Sequence, residues 1–173
     1  MDRAHSEVAW QGKMLAVRVD TYRHGDQEVT REIVAHPGAV GIVAVEDEQV
    51  WLVRQPREAV GVEDLLEVPA GKLDEPGETP LECARRELAE EIGKQTEHWE
   101  LLHRCYTSPG FTDEEVHVFL ATGVTDVDER PPADDADRIE AVRWPLSELD
   151  AVIAEVHDAK TLIGLLALRA RRG

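Results

Sequence analysis

Between Thr79 and Gly93 the sequence spells out one helix together with both of its ends, and no other stretch restricts the fold so tightly. Thr79 is a good N-cap, Pro80 suits the first helical position, and Glu82, three residues after the cap, completes a capping box. Gly93 supplies the left-handed residue that ends such a helix. Leu81, Ala84, Leu88 and Ile92 recur at helical spacing, so one face is apolar and the glutamates occupy the other.

Charge pairing along that helix separates ordinary surface carboxylates from unusual ones. Glu82 with Arg86, Arg86 with Glu90, and Glu90 with Lys94 each stand four residues apart, where side chains meet. Glu87 and Glu91 face each other and find no basic residue at those distances on their own helix. As an exposed pair they would repel by about 0.2–0.5 kcal/mol. A divalent cation between them would turn that repulsion to use, because hard carboxylate oxygens suit Mg2+ or Mn2+. Taken alone, the RExxEE run fits a solvated acidic face equally well.

The rest of the chain reads as an α/β protein. At 173 residues it is long enough for one domain with a proper core. The segments Met14 to Tyr22 and Glu28 to His36 alternate in polarity around His24-Gly25-Asp26, which predicts a hairpin. Val40 to Val45, Val50 to Arg54, Val116 to Ala121 and Ile139 to Trp144 are further predicted strands, with a turn at Glu46-Asp47-Glu48. Ser147 and Asp158 are the expected N-caps of C-terminal helices. The start of the chain lacks the apolar run of a signal peptide, and no stretch reaches transmembrane length, so the expectation is a cytoplasmic protein. Cys83 and Cys105 form no CxxC and are expected to be reduced thiols. A net charge of −17 argues against nucleic-acid or anionic-membrane partners, and means that bound cations and a few placed arginines must reverse the local field for a polyanionic substrate.

With its flanks, the stretch GKLDEPGETPLECARRELAEEIGK from Gly71 to Lys94 resembles the Nudix box, the signature of the Nudix hydrolases. Gly71, Glu78, Arg86, Glu87, Leu88, Glu90, Glu91 and Gly93 occupy its defined positions. Two departures stand out: the loop between Gly71 and Glu78 is one residue longer than the pattern, and the closing aliphatic position is Lys94, which reads as a surface-compatible change. The resemblance implies an α/β/α sandwich with mixed sheets, here residues 37–173, preceded by an N-terminal β-hairpin extension, residues 1–36. It also implies metal held by Glu87, Glu90 and Glu91, with the backbone carbonyl of Ala70 as a further ligand.

Outside the box, three segments resemble the ADP-ribose pyrophosphatase branch of that family. They are Arg31-Glu32-Ile33, Arg54-Gln55-Pro56-Arg57, and Ser108-Pro109-Gly110 downstream of the box. What this resemblance implies is Mg2+-dependent hydrolysis, with Mn2+ as a possible substitute, of the diphosphate of ADP-ribose to AMP and ribose 5-phosphate. Arg31, Glu32, Arg57 and Gly110 would contact substrate, and adenine would stack on Trp10 or Tyr22. The branch carries its general base in an acidic loop, here between Asp126 and Glu140. Asp135 takes that position, with Asp134 and Asp137 as neighbours and Glu114 as a substitute from the earlier loop. Similar enzymes are homodimers whose N-terminal strands reach the partner's site. Alternatives on the same scaffold are a pyrophosphatase for another nucleotide sugar such as GDP-mannose, or a sensor that binds ADP-ribose without cutting it.

Overall fold

The computed structural model describes residues 2–132 and 138–172 and divides into two compact units, residues 1–38 with 106–115, and residues 39–105 with 116–173. The first unit is an antiparallel sheet of β1 (Asp2–Gln11), β2 (Ala16–His24) and β3 (Gln27–Ala35) in that order. The anticipated hairpin is β2–β3, turned at Gly25 with φ of 61°. β1 is an additional strand that the sequence pattern did not predict: it lacks clean alternation, and every one of its residues is exposed.

That sheet is organised around a buried acid. The Asp20 carboxylate, fully buried, accepts from Ser6 Oγ at 2.6 Å, Arg18 Nε at 3.0 Å, Tyr22 Oη at 3.2 Å and Arg3 Nη1 at 3.4 Å. Burial alone would raise its pKa, but the hydrogen bonds from Ser6, Arg18 and Arg3 outweigh it and hold the group down to about 2. Arg18 also donates to Asp113 at 2.8 Å, and Asp113 accepts from the backbone N–H of His36 at 2.9 Å. Thr112 Oγ1 donates to the Val34 carbonyl, so the segment 106–115 is tied to the end of β3.

The second unit is built on a seven-stranded mixed sheet. Its main path runs β12 (Glu140–Pro145), β5 (Gln49–Arg57), β4 (Ala39–Glu46), β10 (Glu115–Thr122), β9 (His98–Tyr106), with β6 (Val62–Glu67) on β5 and β7 (Ala70–Lys72) on β4. β4 and β10 are parallel; the other pairings around β4 and β5 are antiparallel. Strand alternation divides the core into two layers. Val40, Ile42 and Ala44 of β4 and Phe119 and Ala121 of β10 pack with Cys83, Ala84, Leu88 and Ile92 of α1 (Pro80–Ile92). Val43 of β4 and Val116 and Val118 of β10 pack on the opposite face with Leu149 and Val152 of α2 (Leu149–Glu155) and Leu165 and Leu168 of α3 (Ala159–Arg172). Helices therefore cover both faces, the α/β/α arrangement that the box resemblance implied. Short strands β8 (Lys94–Gln95) and β11 (Thr125–Asp126) pair beside the end of α1.

The predicted helix carries its predicted ends. Thr79 Oγ1 accepts from the N–H of Glu82, whose side chain accepts in return from the N–H of Thr79, and Gly93 at φ of 67° donates to the Ala89 carbonyl. Asp158 caps α3 as expected, accepting from Thr161 N at 2.9 Å. Ser147 does not cap α2. A 3-10 turn over Leu146–Glu148, fixed by a bond from Leu146 N to the Glu48 carbonyl, sets the entry instead. Among the described residues no helix is long and apolar enough to cross a membrane.

Candidate active site

The box glutamates sit where α1 crosses the strand segment leading into Gly71. Gly71 leaves room that a side chain would fill: a Cβ at that position would lie 1.8 Å from Glu87 Oε1, so the Glu87 side chain would have to move. The missing side chain is the cradle into which the Glu87 carboxylate reaches. One turn further along the helix, Glu91 Oε2 accepts from the backbone N–H of Ala70 at 2.9 Å. Both acids of the facing pair are thus fixed against residues 70 and 71.

Their environment differs from the sequence expectation of an exposed pair. Glu91 is 5% exposed and the Glu87 side chain 13%. Burial pushes Glu91 up to about 8, against the opposing bond from Ala70 and reinforced by the charge of Glu87. Burial likewise raises Glu87 to about 7, offset in part by Arg86 and increased by Glu90. Glu87 does have a basic neighbour on its own helix, because Arg86 Nη1 lies 2.7 Å from Glu87 Oε1 and 3.1 Å from Glu90 Oε2. The same guanidinium forks onto Glu78 at 2.9 and 3.0 Å, which braces the loop ahead of the helix. Glu82 spends its carboxylate on the capping box.

Lys94 also departs from expectation. It is 4% exposed and pairs with Glu46 at 3.0 Å and Asp126 at 2.9 Å, its ammonium 5.1 Å from the centre of the Trp51 ring. The side chain reaches across to other strands, so the four-residue spacing to Glu90 goes unused, and a buried charge is tolerated because two carboxylates and an aromatic face receive it. The C-terminal carbonyls of α1 are met by Arg130, which donates to Glu90 O at 2.8 Å and Glu91 O at 2.6 Å.

Arg57, on β5, forks onto Glu67 at 2.6 and 2.9 Å, and Glu67 also receives Lys160. Glu67 is 1% exposed, yet its pKa is lowered, since these cations and hydrogen bonds overcome the burial that would raise it. The positive charges of Arg57 and Lys160 act in turn on Glu91. Sequence reasoning singled out Arg57 but missed Glu67 and Lys160. A glutamate just before Val68-Pro69-Ala70 gives no signal that it is buried, and its two cations come from 10 and 93 residues away.

The other expected substrate residues belong to the first unit. Arg31 is exposed and donates to the Thr30 carbonyl at 2.7 Å, and Glu32 is exposed beside it. Trp10 is 57% exposed, whereas the Tyr22 hydroxyl is engaged by Asp20. Gly110 lies open in its turn, and Glu114 accepts from Thr107 Oγ1 at 2.6 Å with His36 Nδ1 3.5 Å away. Asp135, Asp134 and Asp137 lie outside the described residues.

A divalent cation fits the residues present. Two carboxylates, buried and raised in pKa, stand against Gly71 and Ala70, and their hard oxygens match a divalent cation. Among the described residues no group of three or more His, Cys, Asp or Glu is already gathered as a ligand set, consistent with Arg86 holding Glu87 and Glu90 and Ala70 holding Glu91.

The fold and this carboxylate-lined helix define an α/β sandwich with a buried acidic pair suited to a divalent cation. The NUDIX domain family model matches residues 35–163, and the chain belongs to the Nudix family of hydrolases. It is similar to the ADP-ribose pyrophosphatase of Mycobacterium tuberculosis (strain ATCC 25618 / H37Rv), with 41% identity over 95% of this chain and 81% of the relative. It is also similar to the ADP-ribose pyrophosphatase of Bacillus subtilis (strain 168), with 37% identity over 95% of this chain and 90% of the relative. A crystal structure of an ADP compounds hydrolase superposes with a TM-score of 0.85 at 22% identity, covering 98% of this chain and 92% of that one, a likeness of fold.

Proposed function

We propose that the protein hydrolyses the diphosphate of ADP-ribose, releasing AMP and ribose 5-phosphate, with Mg2+ as its working ion and Mn2+ as a substitute. The observation that carries this reading is the buried Glu87–Glu91 pair against Ala70 and Gly71, two acids suited to a divalent countercharge, in a chain similar over nearly its whole length to two ADP-ribose pyrophosphatases, at 41% and 37% identity. Glu87, Glu91, Glu90 and the Ala70 carbonyl would hold the ion, which when bound supplies positive charge against the diphosphate and makes a water more acidic.

The protein's own residues do the remainder. Arg57, kept in one orientation by its fork onto Glu67, presents its outer edge to a phosphate oxygen, and Arg31 adds a second guanidinium. Glu32 and Gly110 complete the polar contacts, and Trp10 offers an exposed ring for adenine. Asp135 takes the proton from the attacking water, with Glu114 as the other candidate. Arg86 and Glu78 brace the loop and helix around the acids. The protein works in the cytoplasm as a homodimer, without nucleic-acid or membrane partners.

The test is turnover of ADP-ribose by the purified protein in Mg2+, with EDTA as control and AMP read by chromatography, beside ADP-glucose and GDP-mannose under equal conditions. Metal-dependent AMP release, fastest from ADP-ribose, is expected. Equal or faster turnover of a hexose substrate would move the reading to nucleotide sugars, and tight ADP-ribose binding without turnover would make the protein a sensor.

A further inference from the structure

Each of the four residues ahead of Gly71 has its own partner. Glu67 holds Arg57 and Lys160; Val68 N donates to Thr161 Oγ1 at 2.8 Å; the Pro69 carbonyl accepts from Ile42 N at 2.8 Å; Ala70 N donates to Glu91 at 2.9 Å. Two of these partners, Lys160 and Thr161, are neighbours in the first turn of α3. Thr161 is fully buried, and its hydroxyl donates to Asp158 Oδ2 at 2.6 Å. Asp158 Oδ1 in turn receives Lys160 Nζ at 3.0 Å. The stem of Lys160 passes over Gly41, where a Cβ would come within 3.7 Å of it.

We propose that Lys160 and Thr161 are positioning residues: the first turn of α3 clamps the segment Glu67–Ala70, and through it sets Arg57 for the substrate diphosphate and Ala70 for the Glu91 cation site. The inference rests on the ADP-ribose reading for its substrate arm only. Lys160 neutralises one oxygen of Glu67, so that Arg57 is held by a carboxylate it must share and keeps an edge for phosphate. Without Lys160, Glu67 has only Arg57 to balance it and draws the guanidinium away from substrate. Thr161 gives the buried Val68 N–H its acceptor; without the hydroxyl that donor is stranded and the backbone leading to Ala70 shifts. Neither residue touches the reacting atoms, which is why nothing in the box motif points to them.

The experiment compares K160M with K160R and T161V with T161S, each checked for folding by circular dichroism at the assay temperature. For K160M, KM for the diphosphate that the wild type cleaves should rise about 10-fold with kcat little changed, and K160R should restore it. For T161V, the affinity for Mn2+ alone, titrated by electron paramagnetic resonance, should fall by about 10-fold, with T161S near wild type. A purely structural role would lower the melting temperature and leave KM and Mn2+ affinity alone; that result in the folded variants overturns the proposal. Should T161V fail to fold, K160M decides by itself: a wild-type KM overturns the clamp. A wild type that ignores ADP-ribose would sink the substrate reading, while the Mn2+ titration of T161V would still judge the clamp.

Discussion

Replacing Glu91 by Gln should make the metal-free protein more stable while abolishing most of its activity. The Glu91 carboxyl is buried and lifted to about 8 from an ordinary 4.5, so near neutral pH the folded state keeps a proton that the unfolded chain has released. A group raised in this way penalises folding, and the sign follows directly: the penalty is absent below about pH 4.5, grows as pH rises, and levels off above the folded-state value. At pH 7.5 the linkage amounts to about 4 kcal/mol, from about 3 units of pH above the unfolded value at 1.36 kcal/mol each. Gln keeps the shape and an acceptor for Ala70 N–H but cannot ionise, so it escapes the penalty. Urea denaturation in EDTA at pH 5 and at pH 7.5 would measure this, with parallel curves in Mg2+. The variant should come within about 1 kcal/mol of wild type at pH 5 and exceed it by about 4 kcal/mol at pH 7.5. Wild type should recover in Mg2+, by about 2.7 kcal/mol at a concentration 100 times its dissociation constant, whereas the variant should recover little. A stability gap that is equal at both pH values, or a variant that stays active, would refute the assignment of Glu91 as a buried cation ligand.

Other substitutions test the surrounding geometry. Gly71→Ala places a methyl group within 1.8 Å of Glu87 Oε1, so Mg2+-dependent turnover should collapse, with a stability loss of about 1–3 kcal/mol in urea titrations. Thr79→Ala removes one half of the capping box and should lower unfolding free energy by about 1 kcal/mol, with kcat at 25 °C unchanged; a loss of activity in a folded variant would tie the cap to the site. Gly164→Ala improves helix propensity but drives a Cβ to 2.6 Å from Val43 Cγ2 and 3.2 Å from Val118 Cγ1, and calorimetry should show it destabilised by about 1–3 kcal/mol.

What could be read from the sequence was what neighbours in the chain decide. The ends of α1 and the apolar face of that helix depend on spacings of three to four residues, and the strands β4 and β10 on short apolar runs, and the structure carries them as expected. The box carboxylates were identifiable because a motif ties their chemistry to a fixed interval along one helix. Ser147 misled because a cap-forming residue is only a local preference, overridden by the bond between Leu146 and Glu48 from a distant turn. β1 escaped notice because a strand exposed along its whole length has no inward face to impose a pattern.

Burial and long-range pairing were decided by the tertiary structure alone. Glu91 and Lys94 read as surface charges in sequence, yet α1 packing on β4, β5 and β7 encloses Glu91, and Glu46, Trp51 and Asp126 enclose Lys94. Whether an acid is raised or lowered in pKa then depends on what encloses it: Glu91 receives one backbone donor and is raised, while Glu67 receives two cations and is lowered. The sequence by itself therefore determined which carboxylates this protein carries on the box helix and where that helix begins and ends. Only the fold decided which of them are buried and how far their pKa moves, because desolvation and the partners that relieve it come from residues far apart in the chain.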